Sequence, residues 1–284
     1  MPDFYQLLLS ISTFILLPLN TLAQDQTTFL DQRAEEDYNH LKDSTNLAWP
    51  DAIKYLSLTK KRNAYLSLGG SFRPRFEHFT NNNWIEDNNQ NYYTQRLALH
   101  ADLHLGSLLR IFVELQHGYK SGEPEFLQTD DLDVHQAFIE IQTSGQHPVT
   151  FRFGRQEMKL GIGRLVDLRV GPNVRRTFDL GKLTFHHEKF SLDAFYGKEA
   201  QVGLGAFDND FTLFTAGANN PRLWGIFSQL PIHKNNAVKH TIEFYYLGFQ
   251  ADFSAFNDGS GEETRHSIGA RSLGSINRRF QYNT

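Results

Sequence analysis

The sequence predicts an all-β fold, an antiparallel transmembrane β-barrel of the outer-membrane type. Segments of about ten residues alternate apolar and polar side chains, which is the length and the period that a barrel strand needs to cross a bilayer. Short turns alternate with long polar connections along the chain, and a targeting segment precedes the strands. A soluble β-sandwich would also alternate, with its apolar face in a core. The strand length, the connections and the targeting segment favour the barrel.

The composition is compatible with this class without selecting it. The chain has 284 residues, a formal net charge of −4 and no cysteine. The mild acidity gives no sign of a nucleic-acid partner. A negative mean hydropathy does not exclude a barrel, because strands that alternate lipid-facing and lumen-facing residues contain no long apolar run. The absence of cysteine fits passage through an oxidising compartment without a disulfide framework.

Residues 1–23 are predicted to form a signal peptide. The apolar run Leu7–Leu19 has about the length of a signal-peptide core and is too short to cross a bilayer as a helix. Small residues at Thr21 and Ala23 place the cleavage after Ala23. The segment before the run carries Asp3 and no lysine or arginine, which departs from the usual basic start.

The mature chain divides into a lead-in and a barrel. Residues 24–64 are polar and charged, and we expect a periplasmic N-terminal lead-in with a short helix near residues 31–42 rather than a second domain. Residues 65–284 are assigned to the barrel, with about ten strands. The expected strands are 65–78, 94–105, 109–116, 132–143, 149–157, 179–187, 190–197, 222–231, 238–249 and 264–273.

Several arginines share the polar side of these strands. In an extended strand, alternate residues point to the same face. This period places five arginines on the face opposite to apolar residues such as Leu66, Leu97, Leu99 and Ile111. These arginines are Arg73, Arg75, Arg96, Arg110 and Arg152. We expect them to face the lumen of the barrel.

The segment Val149–Asp179 is the most distinctive part of the chain. It begins as a strand, but the alternation stops at Gly154, and the remainder is rich in glycine and arginine, with three acids. Such positive charge between two apolar strands indicates a loop that folds into a pore for anions. The alternative is a solvated basic loop. We expect Met158–Phe178 to fold inward, with its arginines meeting the substrate or luminal acids such as Asp179. The arginines named for this segment are Arg155, Arg164, Arg175 and Arg176.

Several motifs resemble the alginate export family of outer-membrane β-barrels. They are DAIKYLSL leading into YLSLGGSFRPRFEHF with a downstream Trp84, LDVHQAFIEI at 132–141, GRQEMKLGIGRLV…NVRRTFD at 154–179, and RHSIGAR at 265–271. The resemblance implies an eighteen-stranded barrel that exports an acidic polysaccharide through an arginine-lined lumen. Pro74 departs from the pattern, and we expect it to cost a ladder hydrogen bond or to mark a bulge.

The strand count also departs from the family. A new alternation begins at Phe280 and stops at Thr284. We therefore expect an incomplete barrel, about ten strands of an eighteen-stranded one, with an open edge at the 65–78 strand and another at the C-terminus. First and last strands that pair and close a ten-stranded cylinder would contradict this expectation.

Two groups of residues raise other chemistry. His100, Asp102 and His104 lie on one face of one strand, but their spacing is too wide for one metal ion, and a hydrogen-bonding row is the better interpretation. Acids at the start of the 132–143 strand, followed by a histidine, suggest a small-barrel enzyme of the omptin type. These residues are Asp130, Asp131, Asp133 and His135. No catalytic motif accompanies them.

The sequence thus predicts a non-enzymatic export channel in the cell outer membrane, without cofactor or metal. Its expected partners are an acidic polysaccharide, outer-membrane lipid and periplasmic secretion proteins. The nine arginines named above are the expected substrate-binding residues. The alternatives are a non-specific porin and the omptin-type enzyme.

Overall fold

The computed structural model describes residues 29–44, 49–213, 221–235, 238–276 and 280–284. The predicted signal peptide lies outside these residues. The N-terminal part contains two short 3-10 helices, Arg33–Glu35 and Asn39–Asp43, and one α-helical turn, Trp49–Ala52. A further 3-10 turn spans Asn82–Trp84. Within the described ranges, no helix has both the length and the apolar character required to cross a membrane.

Twelve strands follow in chain order. They are β1 (Leu56–Ser57), β2 (Ala64–Phe79), β3 (Gln90–Leu105), β4 (Leu109–Lys120), β5 (Asp130–Gln142), β6 (Val149–Gln156), β7 (Phe178–His187), β8 (Phe190–Glu199), β9 (Arg222–Asn235), β10 (Val238–Phe256), β11 (Gly259–Ile276) and β12 (Phe280–Asn283).

All twelve strands form one antiparallel sheet in which each strand pairs with the next. This confirms the predicted fold class, since antiparallel strands that pair in chain order, joined from β2 to β10 by alternately long and short connections, are the architecture of outer-membrane barrels. Among the described residues, no pairing joins β12 to β1 or β2. The closed ten-stranded cylinder that would favour a small-barrel enzyme is therefore not formed.

The sheet has one apolar face and one polar face. Large apolar side chains on the first face are exposed, including Leu68, Phe72, Leu99, Ile139 and Phe151. The opposite face carries buried polar groups such as Ser67, Arg96, Glu114 and Arg152. An exposed apolar surface of this extent is costly in water and suits contact with lipid.

Pro74 neither marks a bulge in β2 nor costs a hydrogen bond to β3. The pairing of β2 with β3 runs from Ala64 to Phe79 without a register shift, so there is no bulge. The amide of Leu68 donates to the carbonyl of Ile53, on the side of β2 away from β3. Because amides alternate sides along a strand, the nitrogen of Pro74 also faces away from β3. Proline is tolerated on such an edge, and no bond to β3 is lost.

The hairpin of β10 and β11 is longer than expected. The sequence predicted strand ends at residues 249 and 264, but pairing continues to Phe256 and Gly259, with one irregularity between Ala251 and Ser254. The segment between is rich in glycine and charge and looks like a loop. Cross-strand hydrogen bonds hold it extended regardless of side-chain pattern. The alternation expected from Phe280 is confirmed as β12.

The strand pairing beside β5 changes where β6 ends at Gln156. From there the chain crosses the polar face, so the residues of β5 before Ala137 have no partner in β6. The connection after β8 fills this position. The amide of Asp131 donates to the carbonyl of Leu204, and the amide of Phe207 donates to the carbonyl of Leu132. These bonds satisfy backbone groups of β5 that would otherwise be unpaired.

Candidate functional site

The polar face of the sheet is the candidate site, because the strand register gathers charged side chains there. Arg73 lies directly opposite Arg96 on the neighbouring strand. Further toward the short turns, Arg110 lies opposite Glu140, and Glu140 lies opposite Arg152. All five arginines assigned to the polar side by periodicity therefore share one face, with Arg75 two residues beyond Arg73. They form two groups with different partners.

The first group, Arg73 and Arg96, is called here the loop-end pair. Arg73 donates to the carbonyl oxygens of Val170 at 2.8 Å and Pro172 at 2.9 Å and to the side-chain oxygen of Asn173 at 3.0 Å. Arg96 donates to the carbonyl of Pro172 at 3.4 Å. All these acceptors are neutral groups of the connection between β6 and β7.

The loop-end pair therefore lacks a bonded carboxylate in the described ranges of the chain, and Glu77, Glu114 and Glu157 act on its charge only from a greater distance. Within the described part of the chain, neither arginine forms an ion pair with a carboxylate. Arg75, beside them, donates to the carbonyl of Gly171 at 2.9 Å but also pairs with Glu77 at 2.9 Å. Two cations held close together by carbonyl oxygens favour the approach of an anion.

The second group, Arg110 and Arg152, is called the turn-end pair, and it is neutralised. Arg110 makes two bonds of 2.8 Å to the carboxylate of Asp102. Arg152 bonds Glu140 at 2.6 Å and Glu35 at 2.6 Å. The guanidinium of Arg152 also lies 4.4 Å from the ring centre of Phe138. Bidentate and multiply bonded arginines of this kind are held in fixed geometry.

The connection from residue 157 to 177 folds onto the polar face, as the sequence predicted. Its apolar residues Met158, Leu160 and Val166 are buried in one cluster. They pack against Phe178, Leu180, Phe195, Phe227 and Leu247 of the sheet. Gly161 adopts a φ of +55°, a left-handed conformation that glycine accepts without strain. The loop is thus a packed part of the fold rather than a solvated one.

The charged residues of this connection are mostly paired. Arg175 donates a hydrogen bond of 2.9 Å to Glu157, and Glu157 also contacts His135 at 2.9 Å. Arg176 bonds Glu199 at 3.0 Å. Arg164 is exposed and makes no hydrogen bond or ion pair within the described residues. Its role as a substrate contact stays a prediction, as do those of the other eight arginines.

Arg155 and Asp179 lie elsewhere than expected. Asp179 is not a luminal acid, because the register places it with Gly181 and Leu183 on the apolar face. Arg155 pairs with it at 2.8 Å and 3.0 Å. The same guanidinium donates to the carbonyls of Asn209 and Asp210. Arg155 therefore joins the connection after β8 to the sheet at the point where β6 leaves it.

The N-terminal segment, residues 29–44, also lies on the polar face, which the sequence pattern did not indicate. Ala34 packs against Phe112 and Phe138, and its carbonyl accepts a bond of 2.6 Å from Arg110. The carbonyl of Asp31 accepts one of 2.9 Å from Arg175. A polar, weakly helical sequence carries no periodic signal of such docking. The one available clue is the excess of arginine on the face it covers.

Glu35 is the charged contact of this segment. Burial raises the pKa of Glu35, but attraction to Arg152 and Lys182 and the hydrogen bond from Arg152 outweigh it, and the pKa falls to about 2. Its side chain is 41% exposed. The exposed part faces a cavity of about 850 Å³ lined by charged groups from the segment and from the turn end of the sheet. These include Glu35, Asp37, Arg110, Arg152, Lys182 and Asp193.

The residues considered for metal or enzyme chemistry do not form one constellation. Asp102 bonds His104 at 3.0 Å and Arg110 at 2.8 Å, whereas His100 lies 3.8 Å from Glu114. His135 faces Glu157, and exposed Asp131 lies 3.9 Å from His117. His100 of β3 and His135 of β5 both lie 3.8 Å from Glu114 of β4, whereas Asp102 and Asp131 have other partners. Their arrangement is that of a polar network across the sheet.

Comparison with known proteins identifies one family. The model of a family described as alginate export matches residues 64–284, which is 221 of the 284 residues. A comparison with curated proteins found no match. The matched range begins with β2 and includes the complete polar face and both long connections that contact it.

Proposed function

The chain belongs to the alginate export family, and we propose that it is an outer-membrane export channel through which an acidic polysaccharide moves along the arginine-bearing polar face. Export of polysaccharide through an outer-membrane β-barrel is what that family is known for. We also propose which residues of this chain contact the polymer and in what order.

The observation that carries the proposal is the loop-end pair. Arg73 and Arg96 lie side by side with neutral partners only, so a carboxylate of the polymer gains charge-assisted hydrogen bonds there without displacing a carboxylate of the protein. Each such contact replaces hydration, and neighbouring guanidiniums offer the next one. Exposed Arg164, on the same connection, is a further proposed contact of the polymer.

The turn-end pair acts differently in this proposal. The acids Asp102, Glu140 and Glu35 already bind Arg110 and Arg152, so the polymer has to exchange with protein carboxylates there. Binding at this level is correspondingly weak, which keeps a polyanion from being trapped. Arg155, Arg175 and Arg176 complete the proposed set, but their bonds hold the two long connections, and we assign them to positioning rather than to direct contact.

Orientation follows from the lengths of the connections. In outer-membrane barrels, the short turns face the periplasm and the long loops face outward. The turn-end pair and its cavity then lie at the periplasmic entrance, and the loop-end pair lies at the outward side. We further propose that residues 1–23 are the signal peptide for this location and that 65–284 are the barrel domain. Residues 24–64 precede the barrel, and the part from 29 to 44 docks inside it.

The docked N-terminal segment has a specific role in this scheme. Glu35 presents a carboxylate to Arg152 as a uronate would, and the cavity beside it is open to an incoming chain. We propose that the polymer displaces Glu35 and with it the segment. Periplasmic secretion proteins would act at this entrance.

Planar-bilayer recordings test the function. The purified chain is expected to form a pore whose current an oligomer of uronic acid blocks at low concentration, whereas a neutral oligosaccharide of equal length blocks weakly. Replacing Arg73 and Arg96 by glutamine should weaken the block about tenfold or more. The matched control is K60Q/K61Q, which removes two exposed cations outside the polar face.

Three results separate the alternatives. A pore that is indifferent to polyanions supports a non-specific porin and contradicts the exporter. An equal loss of block in the control would mean that general charge, not the loop-end pair, attracts the polymer. Cleavage of peptides by the folded chain would support the omptin-type alternative.

A further inference from the structure

Three carboxylates meet at the loop end of β5, away from the arginines of the polar face. Asp130 and Asp133 belong to β5, and Asp208 belongs to the connection after β8. Each offers one oxygen atom, and the three atoms lie within 4.8 Å of one another. Asp130 and Asp133 are buried, at 4% and 2% exposure. They are brought together because the connection replaces β6 beside this part of β5.

The hydrogen bonds of the cluster leave one buried oxygen without a partner. One carboxylate oxygen of Asp133 accepts the amides of Asp208 at 2.8 Å and Asn209 at 3.0 Å. One oxygen of Asp130 accepts the side-chain amide of Asn209 at 3.3 Å. The other, Oδ1 of Asp130, is fully buried and has no hydrogen-bond donor within the described residues. Buried carboxylate oxygens are normally bonded, so an unpartnered one points to a missing ligand.

The nearby cations are committed to other groups. The guanidinium of Arg155 is bonded to Asp179 and to backbone carbonyls. His135 bonds Glu157 at 2.9 Å. No lysine or arginine forms an ion pair with Asp130, Asp133 or Asp208 in the part of the chain that the structure describes. Three acids placed together without a counter-charge repel one another unless a proton or a cation joins them.

We propose that Asp130, Asp133 and Asp208 bind a divalent cation, with Ca²⁺ as the best fit. The donor set consists of carboxylate oxygens alone, which suits hard cations rather than zinc or copper. Ca²⁺ accepts irregular sets of oxygen ligands at about 2.4 Å, so opposite ligands lie up to about 4.8 Å apart, whereas Mg²⁺ requires a tighter octahedron. The bound ion would fasten residues 203–209 to β5 and complete the sheet where β6 leaves.

Calcium titration of the full chain, folded in detergent micelles and freed of metal by a chelator, tests this site. Isothermal calorimetry should show saturable binding of one Ca²⁺ and weaker binding of Mg²⁺. The variant Asp208→Asn should bind Ca²⁺ at least tenfold more weakly. Asp131→Asn is the matched control, because it removes the same charge from an exposed neighbour outside the cluster, and it should bind as the parent does.

A second measurement guards against misfolding of the variant. Ca²⁺ should slow proteolysis within residues 203–209 in the parent and in Asp131→Asn but not in Asp208→Asn, while the β-sheet circular dichroism of all three stays the same. The proposal is overturned if the parent shows no saturable Ca²⁺ binding, or if Asp208→Asn binds as tightly as the parent. Mg²⁺ binding equal to Ca²⁺ binding would overturn the assignment to calcium. None of these outcomes depends on transport.

Discussion

The loop-end pair and the turn-end pair contain the same residue type on the same face of one sheet, yet their surroundings are opposite. Arg73 and Arg96 bond neutral oxygens of the β6–β7 connection. Arg110 and Arg152 bond the carboxylates of Asp102 and Glu140. The first pair has no carboxylate partner among the described residues, whereas the second is neutralised by the carboxylates that it bonds.

This difference shows why a row of arginines on one face cannot be assigned a single role. A buried guanidinium costs solvation energy that its partners have to offset. Carboxylates offset it and cancel the charge. Carbonyl oxygens offset part of it and leave the charge in place. Counting cations on the polar face therefore overstates the positive potential, and does so most at the turn end.

The largest expected effect is on stability at the turn end. Replacing Arg152 by methionine removes the bonded cation of Glu35 and leaves Glu140 only Arg110, at 3.9 Å. Breaking a buried pair in this way costs about 3–5 kcal/mol. Because Glu35 is 41% exposed and can turn to water, we expect the lower part of this range. Urea unfolding of the chain in lipid vesicles measures the loss.

Two variants give this measurement its controls. Arg73→Met should reduce the free energy of unfolding by less than Arg152→Met does, because it leaves only neutral acceptors without a hydrogen bond. Adding Glu140→Gln to Arg152→Met should recover part of the loss. Equal losses for Arg152→Met and Arg73→Met would show that the two pairs do not differ in kind.

The second effect is at the apolar face of the sheet, which we propose to be in contact with lipid. Leu99→Arg should make folding into vesicles less favourable by about 2–4 kcal/mol, because a cation on the lipid side near the bilayer centre is poorly solvated. Leu99→Phe is the matched control and should fold nearly as well as the parent. If the arginine variant folds equally well, the apolar face does not contact hydrocarbon.

The third effect is on ion selectivity and compares the pairs directly. Replacing Arg73 and Arg96 by glutamine removes two charges that have no ion-pair partner among the described residues. The ratio of chloride to potassium permeability should therefore fall roughly tenfold, about 1.4 kcal/mol. Replacing Arg152 and Glu140 together by glutamine removes one charge of each sign and should change the ratio little. Reversal potentials in a salt gradient measure both. Similar shifts in the two variants would contradict the assignment of surplus charge to the loop end.

The smallest effect is a pH dependence of the N-terminal segment. Because the pKa of Glu35 is lowered to about 2 in the folded chain, its contribution to docking is complete above the unfolded value of about 4.5. It is lost as the pH falls from there toward 2. For a partly exposed pair the contribution is about 1 kcal/mol or less.

A spin label reports this release, because the chain has no cysteine and Asn39→Cys provides a single attachment point. Label mobility should rise between pH 4.5 and pH 2. In an added Glu35→Gln background, the mobility at pH 7 should already be higher and the change over this window smaller. Identical curves in the two backgrounds would remove Glu35 from the docking contact.

The parts of the fold that were predicted correctly depend on local pattern. The period of two placed Arg73, Arg96 and Arg152 on one face, because a pleated backbone directs alternate side chains to the same side regardless of what lies beyond. The loop after Gln156 was expected to turn inward, on account of its arginines and glycines. The strand pairs also follow chain order, so the sheet could be inferred without knowledge of distant contacts.

The errors concern positions whose surroundings are decided by strand register and pairing rather than by residue type. Asp179 has the parity of the apolar face, but its acidic character suggested the lumen. Pro74 was expected to cost a ladder hydrogen bond or to mark a bulge. The β2–β3 register shows no bulge, and the nitrogen of Pro74 faces away from β3. The extension of β10 to Phe256 follows from pairing with β11, which overrides a loop-like composition.

By itself, the sequence determined the class of the protein, its two faces and the family it belongs to, since period, strand length and motifs are properties of short segments. The tertiary structure alone decided which arginines are neutralised, that residues 29–44 lie on the polar face, and that Asp208 joins Asp130 and Asp133. Two of these contacts, Glu35 with Arg152 and Asp208 with Asp133, join groups more than 70 residues apart in the chain. The electrostatic potential at a site is a sum over all charged groups that are near in space. The spacing of residues along the chain does not show which groups those are.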